Sequence, residues 1–340
     1  MNIKSFVSIS IILVLSLFLV ACGVNTETSS ENEEAQSITL YSPNVQELNN
    51  LITKKFEEET GIKVEIVSGG TGELLKRVEA EKDNPLGDVF WAGGADSLEV
   101  YKEYFEPYER EEIDKLDPYF LKNLDYSWVP FGVMTMVLIY NKDLVDENDV
   151  PEGWEDLLDE KFKGSIAFAD PNKSSSAYSQ LVTMLLAFGE DEGWDYVEKF
   201  VENLDGKILS SSGQVPKLVA DGEFSVGVTL ESEALRYVKG GSNVGIIYPK
   251  EGTVVRPNGS ALIKGAKNPE GAKKFLDFLL TKEIQEITQE NFNRRSIRID
   301  VEPDENVLSL DEIERVDYDI EFAAKNKDEI MEKYNDILVR

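Results

Sequence analysis

One arrangement recurs along this chain and narrows its fold more than any other feature. A short apolar segment leads into a loop of small or hydroxyl-bearing residues, which leads into a stretch with helical periodicity. It is clearest at Ser68-Gly69-Gly70-Thr71-Gly72-Glu73. Ile62, Val64 and Ile66 alternate before it as a strand does, and Leu74, Leu75 and Val78 follow at helical spacing. Ahead of it, Ile38 to Tyr41 reads as a strand. Ser42-Pro43-Asn44 forms its loop, and Leu48, Leu51, Ile52 and Phe56 mark one face of a helix that Ser42 or Asn44 can cap. After it, the strand Asp88 to Trp91 ends in a loop, Ala92-Gly93-Gly94-Ala95-Asp96, before a helix near 97–104. This β-α-β-α-β order predicts a mostly parallel sheet flanked by helices. Ligands of such sheets sit beyond the carboxyl ends of the strands.

The device returns in the second half. The strand Gly164 to Ala169 precedes Asp170-Pro171-Asn172-Lys173-Ser174-Ser175-Ser176 and a helix carrying Leu181, Met184, Leu185 and Phe188. Strand 207–209 precedes Ser210-Ser211-Ser212-Gly213 and a helix from Val215, and strand 224–230 ends at Glu231. Between the halves, Val129-Pro130-Phe131-Gly132 opens an apolar run to Tyr140 that can carry the chain from one lobe to another. Val244 to Tyr248 and Val254 to Ile263 read as returning strands, and helices are expected near 269–280 and 283–292. Beyond Leu308 the charged segment with Ile313, Val316, Ile320, Phe322, Ile330 and Ile337 reads as surface helices covering a lobe.

A loop between strand and helix leaves the first helical N–H groups unpaired. With the positive end of the helix dipole they form an anion site, and glycine lets the backbone approach closely. The stretch at 68–73 taken alone also reads as a tight turn with Thr71 as N-cap, binding nothing. Composition then removes competing chemistries. The 340 residues include no histidine and a single cysteine, which excludes Ser-His-Asp hydrolysis, histidine-ligated metals, internal disulfides and cysteine clusters. A formal charge of −30 disfavours nucleic acid and anionic membrane surfaces as partners. No cofactor, bound metal or catalytic residue is expected.

Residues 6–20 form an apolar run after Lys4, ending in Leu19-Val20-Ala21-Cys22-Gly23. The pattern is that of a secretory signal peptide. It resembles the bacterial lipobox, which implies removal of 1–21 and acylation of Cys22. The polar, acidic 24–37 reads as a flexible tether. The expected organisation is a signal peptide at 1–21 and a lipidated tether at 22–37. A discontinuous first lobe takes 38–132 with 250–305, a second lobe 133–249, and C-terminal helices at 306–340 pack on a lobe.

Three stretches carry a further resemblance: FEEETGIKVEIVSGGTGELLKRVEAEKDNPLGDVFWAGG (56–94), GEFSVGVTLESEALRYVKGGSNVGIIYPKEGTVVRPNGSALIKGAKNPEGAKKFLDFLL (222–280) and DYDIEFAAKNKDEIMEKYNDIL (317–338). They resemble solute-binding lipoproteins of ABC importers with the periplasmic-binding-protein fold, in the group that binds ferric ion, phosphonates or hexose phosphates. The resemblance implies two α/β lobes joined by crossing strands, closing over a ligand in the cleft between them. Ferric-binding members carry adjacent tyrosines after the strand equivalent to 224–230. Here that place reads Glu231-Ser232-Glu233, which favours a phosphorylated ligand.

Hexose phosphate is preferred, with 2-aminoethylphosphonate or phosphoglycerate next. The phosphate is expected among Ser42, Thr71, Gly72, Ser175 and Ser212, with Gly70, Gly93, Gly94, Ser174 and Ser176 as further contacts. The organic end is expected to face Glu231, Tyr248 and Asn44. Implied partners are an ABC permease and ATPase. The alternatives are a ferric importer, or a sensing lipoprotein that feeds a sensor kinase. The chain is expected to be a monomer on the extracytoplasmic face of the membrane, held only by the lipid on Cys22.

Overall fold

The computed structural model describes residues 37–339, so Cys22 and the expected leader lie outside the described residues. The first half opens with β1 (Ser37–Ser42), α1 (Gln46–Thr60), β2 (Lys63–Ser68), α2 (Thr71–Ala80), β3 (Val89–Gly94), α3 (Ala95–Val100) and the short β4 (Phe105–Glu106). The long β5 (Val129–Asn141) leads to β6 (Ile166–Ala169), α4 (Ser175–Phe188), α5 (Glu190–Asn203), β7 (Ile208–Leu209) and α6 (Gln214–Ala220). Then come β8 (Val226–Leu230), α7 (Glu231–Lys239), β9 (Val244–Ile247) and β10 (Val255–Ile263). The chain ends with α8 (Pro269–Leu280), α9 (Lys282–Phe292), β11 (Arg295–Ser296), α10 (Ile320–Lys325) and α11 (Lys327–Leu338).

The strands follow the order β2-β1-β3-β10-β5-β8-β6-β7, with β4 on β10 and both β9 and β11 on β5. Strand directions decide where the loops point. β1 is parallel to β2 and β3, and β3 is antiparallel to β10, itself antiparallel to β5. β1, β2 and β3 therefore run with β5. β8 is antiparallel to β5 and parallel to β6, which is parallel to β7. The carboxyl ends of the two parallel sets consequently point at each other. In register, Gly94 at the end of β3 lies level with Gly132 through Asn258, while Leu230 at the end of β8 lies level with Met136. Along β5 the two edges are separated by roughly 13 Å, at about 3.3 Å per residue.

Each half buries both faces of its part of the sheet. Leu40 and Val89 point into a cluster with Leu48, Ile52 and Phe56 of α1 and Phe275 and Leu276 of α8. Their neighbours Tyr41 and Phe90 point the other way, onto Leu74, Leu75 and Val78 of α2 and Leu98 of α3. In the second half, Leu138 joins Trp154, Phe168, Leu181 and Phe200, while Val137 and Ile139 join Val215 and Val219 of α6 and Ala234 of α7. Ile330, Tyr334 and Ile337 of α11 complete the cluster around Trp154. Ile313, Val316, Ile330 and Ile337 of the C-terminal segment are therefore core, whereas Ile320 is half-buried and Phe322 stays exposed at 37%.

Local details depart from the sequence-based expectation. The residues Ala92 to Gly94 are strand, because β10 offers them partners: Gly259 opposite Gly93 and Asn258 opposite Gly94. Helix α3 starts at Ala95, earlier than expected. Thr71 is the first residue of α2 and Gly70 its N-cap, with no side-chain cap bond. Neither Ser42 nor Asn44 caps α1, whose N-cap is Val45. Trp91 is fully buried, edge-on to Phe131 and Phe275 at 5.4 and 5.9 Å between ring centroids.

Candidate functional site

The recurring loops follow the strand ends that face this junction. On the first side, Ser42 is buried at the end of β1 and donates its hydroxyl proton to Asn49 Oδ1 at 2.7 Å. The Asn44 N–H donates back to Ser42 Oγ, and Asn49 Nδ2 donates to the Asn44 carbonyl, both at 3.3 Å. Ser42 thus holds the loop rather than offering a free hydroxyl. The Asn44 side chain is held in a buried position: Oδ1 accepts from Arg294 Nη1 at 2.7 Å, and Nδ2 is buried with no partner.

Arg294 and Arg295 were not singled out from the sequence. Asn293, in the left-handed conformation at φ 54°, ends α9 and turns the chain sharply. Arg294 follows, and Arg295 begins β11, where it pairs with Val133 of β5. Arg295 reaches across to the second half and clamps Glu231: Nε donates to Oε1 at 3.1 Å and Nη2 to Oε2 at 2.6 Å. Tyr248 donates its hydroxyl proton to the same Oε2 at 2.6 Å. Both charged side chains are only 5% exposed. Burial and the adjacent Glu231 charge push the Tyr248 hydroxyl far above the ordinary tyrosine range, so it stays a donor. Glu231, the first residue of α7, also faces the positive end of that helix. Glu231 and Tyr248 are therefore bound to each other and to Arg295 across the junction; they are not free acceptors for a solute.

Arg294 has a different environment. Among the described residues no carboxylate comes within ion-pair distance of it, and burial pushes its guanidinium down to about 10, with the charge of Glu233 opposing that shift. It remains a cation at neutral pH.

On the other face of the junction, Arg256 is buried and bonded to Asp96, a pair 4% and 12% exposed, and lies 5.8 Å from the centre of the Tyr318 ring. This pair accounts for Gly94 in β3, and Leu98 for Gly93. A Cβ on Gly94 would stand 2.8 Å from Asp96 Oδ1 and 3.2 Å from Arg256 Nη1, and one on Gly93 would stand 2.7 Å from Leu98 Cδ2. Side chains of the fold therefore fill the space that a Cβ on either glycine would need.

The remaining predicted residues differ in how open they are. A Cβ on Gly70 or Gly72 would meet nothing within 4 Å, so the N-terminus of α2 faces open space. Gly72 lines an open cleft of about 630 Å³ with Lys76, Asp96, Ser97, Ala323 and Lys327. Ser174 caps α4, accepting the Ala177 N–H at 3.3 Å, and its hydroxyl contacts that of Ser176 at 3.0 Å. Ser175 is exposed, and Ser212 sits partly exposed in the loop after β7. Lys173 turns to Asp170 at 3.2 Å. The loops that hold these residues follow the facing ends of the two strand sets, and no hydrogen bond among the described residues links 70–72 to 174–176 or 212. Among the described residues, no three carboxylate, cysteine or histidine groups converge as a metal site. No helix among them is long and apolar enough to cross a membrane.

Comparison with known proteins agrees with this architecture. "Iron uptake protein A1" of Synechocystis sp. PCC 6803 is 28% identical over 324 residues, 88% of this chain and 87% of the relative. A "putative 2-aminoethylphosphonate-binding periplasmic protein" of Salmonella typhimurium is 28% identical over 262 residues, 73% of each chain. The periplasmic binding protein AfuA of Actinobacillus pleuropneumoniae, solved with exogenous fructose-6-phosphate bound, superposes with a TM-score of 0.78 at 26% identity. That match covers 89% of this chain and 99% of the other. The family model for bacterial extracellular solute-binding proteins matches residues 52–313. With two lobes, facing strand ends and that match across most of its length, the chain belongs to the bacterial extracellular solute-binding proteins, which bind solutes rather than transform them.

Proposed function

We propose that this protein captures a small phosphorylated organic solute outside the cytoplasm and delivers it to the permease and ATPase of an ABC importer. A hexose phosphate fits best, ahead of 2-aminoethylphosphonate or phosphoglycerate. The carrying observation is that two sets of parallel strands aim their carboxyl ends, with open helix N-termini and serine hydroxyls, at one junction. Neutral donors of this kind stabilise a dianion without requiring much net positive charge, which suits a chain of charge −30. The phosphate then lies against Thr71, Gly72, Ser175, Ser176 and Ser212, and Asn44 faces the solute. Closure of lobe 133–249 onto the lobe formed by 38–132 and 250–305 would enclose it. Acylation of Cys22 would hold the protein at the membrane.

A ferric cargo is the weaker reading on the donor set. Ferric ion needs several anionic oxygen ligands, yet Glu231 is already committed to Arg295 and Tyr248. Mass spectrometry of the solute that co-purifies with the protein tests the proposal. An organic adduct that releases phosphate on fragmentation is expected; a ferric adduct, or an organic solute without phosphorus, would contradict it.

A further inference from the structure

We infer that Arg294, oriented by Asn44, is the cation that neutralises the solute's phosphoryl or phosphonyl group, and that Glu231–Arg295–Tyr248 is a fixed bridge beside it. This deepens the proposed function and rests on it. Three observations converge on Arg294. The chain carries 65 acidic and 35 basic residues, so a guanidinium within it has carboxylates in excess to choose from. Its immediate neighbour Arg295 takes a carboxylate bidentately, and Arg256 and Arg298 are paired with acids as well. Arg110, which also lacks an ion-paired carboxylate, donates from Nη1 and Nη2 to the carbonyls of Tyr108 and Ser260, with its Nε buried and unpartnered. Among the described residues Arg294 makes one hydrogen bond, to the neutral Oδ1 of Asn44, and its partly buried charge has no carboxylate in contact, only the more distant charge of Glu233.

The second observation is Asn44 itself. It is 8% exposed, and its Nδ2 is a buried donor with no acceptor. A buried donor without a partner costs about 1–3 kcal/mol. Beside an unpaired guanidinium it lacks the same thing, an anionic oxygen. The third is the bridge. Glu231 is the carboxylate placed across the junction, and Arg295 and Tyr248 hold it. That arrangement keeps Glu231 from pairing with Arg294 and leaves the guanidinium to the solute. A planar guanidinium fork matches two oxygens of a phosphate or phosphonate, which an ammonium does not.

Calorimetric titration of the full chain and of Arg294→Gln, Arg294→Lys and Asn44→Asp with glucose 6-phosphate, 2-aminoethylphosphonate and inorganic phosphate tests this. Arg294→Gln should weaken the binding of the preferred probe at least ~10-fold, the loss expected of one or more charge-assisted hydrogen bonds. Its thermal midpoint without solute should hold or rise, because a partly buried charge with no contacting carboxylate is gone; a merely structural arginine would lower it. Arg294→Lys should recover part of the affinity. Asn44→Asp should weaken binding as strongly as Arg294→Gln, by supplying a competing carboxylate. Unchanged affinity in Arg294→Gln, beside an unaltered protein that binds the probe, overturns this inference alone. Failure of the unaltered protein to bind any of the three overturns the proposed function and the inference with it.

Discussion

At the scale of single residues, the junction is built on a separation of duties between adjacent arginines. Arg295 and Glu231 are both almost fully buried, and their bond joins β11, attached to the first half, to α7 in the second. A buried pair adds little net stability over an apolar replacement, but removing one partner strands the other charge, at a cost of about 3–5 kcal/mol. Glu231→Gln should therefore lower the free energy of urea unfolding by about 3–5 kcal/mol, whereas Glu231→Gln combined with Arg295→Met should recover most of it. A single-mutant loss below about 1 kcal/mol would mean that the bridge carries no such load. This pairing was not legible in the sequence. Glu231 at a strand end looked like an open acceptor because its partner lies 64 residues further on. The Arg294-Arg295 doublet, next to a helix end in an acidic chain, was the one available signal for the missed cation.

At the scale of elements, strand and helix order was legible because each piece carries its own period. The alternation of Ile62, Val64 and Ile66 and the spacing of Leu74, Leu75 and Val78 depend on no distant residue. The end of β3 was misread for the opposite reason. Two consecutive glycines suggest a turn, and only β10, far along the chain, supplies the ladder that makes them strand. Their small size serves packing. Gly94 admits Asp96 and Arg256 against the backbone, so Gly94→Val should force that pair apart. Overpacking of this kind costs typically about 1–3 kcal/mol. Chemical unfolding of Gly94→Val should show a loss in that range, and a variant as stable as the parent would contradict the packing role assigned to Gly94.

At the scale of the whole molecule, function follows from one topological fact: strands β1 to β3 run with β5, and β6 to β8 run against it. Two ordinary α/β edges thereby face each other, as the proposed site requires. The sequence implied both edges but not their opposition, since direction across the crossing strand is set by long-range pairing. The charge of −30 opposes the approach of an anion, so a guanidinium with no contacting carboxylate has a clear use. With no histidine, the protein offers no side chain of ordinary pKa between about 5 and 8. The pH dependence of binding should then belong to the solute, whose phosphate monoester loses its second proton near pH 6 (about 6 for such groups). Calorimetric titration of the purified protein with glucose 6-phosphate, 2-aminoethylphosphonate and ferric citrate across pH 5 to 9 tests this most directly. Saturable binding of a phosphorylated solute, strengthening through about pH 6 and level above it, is the expected result; tight binding of iron with no response to either phosphorus compound is the result that would contradict it.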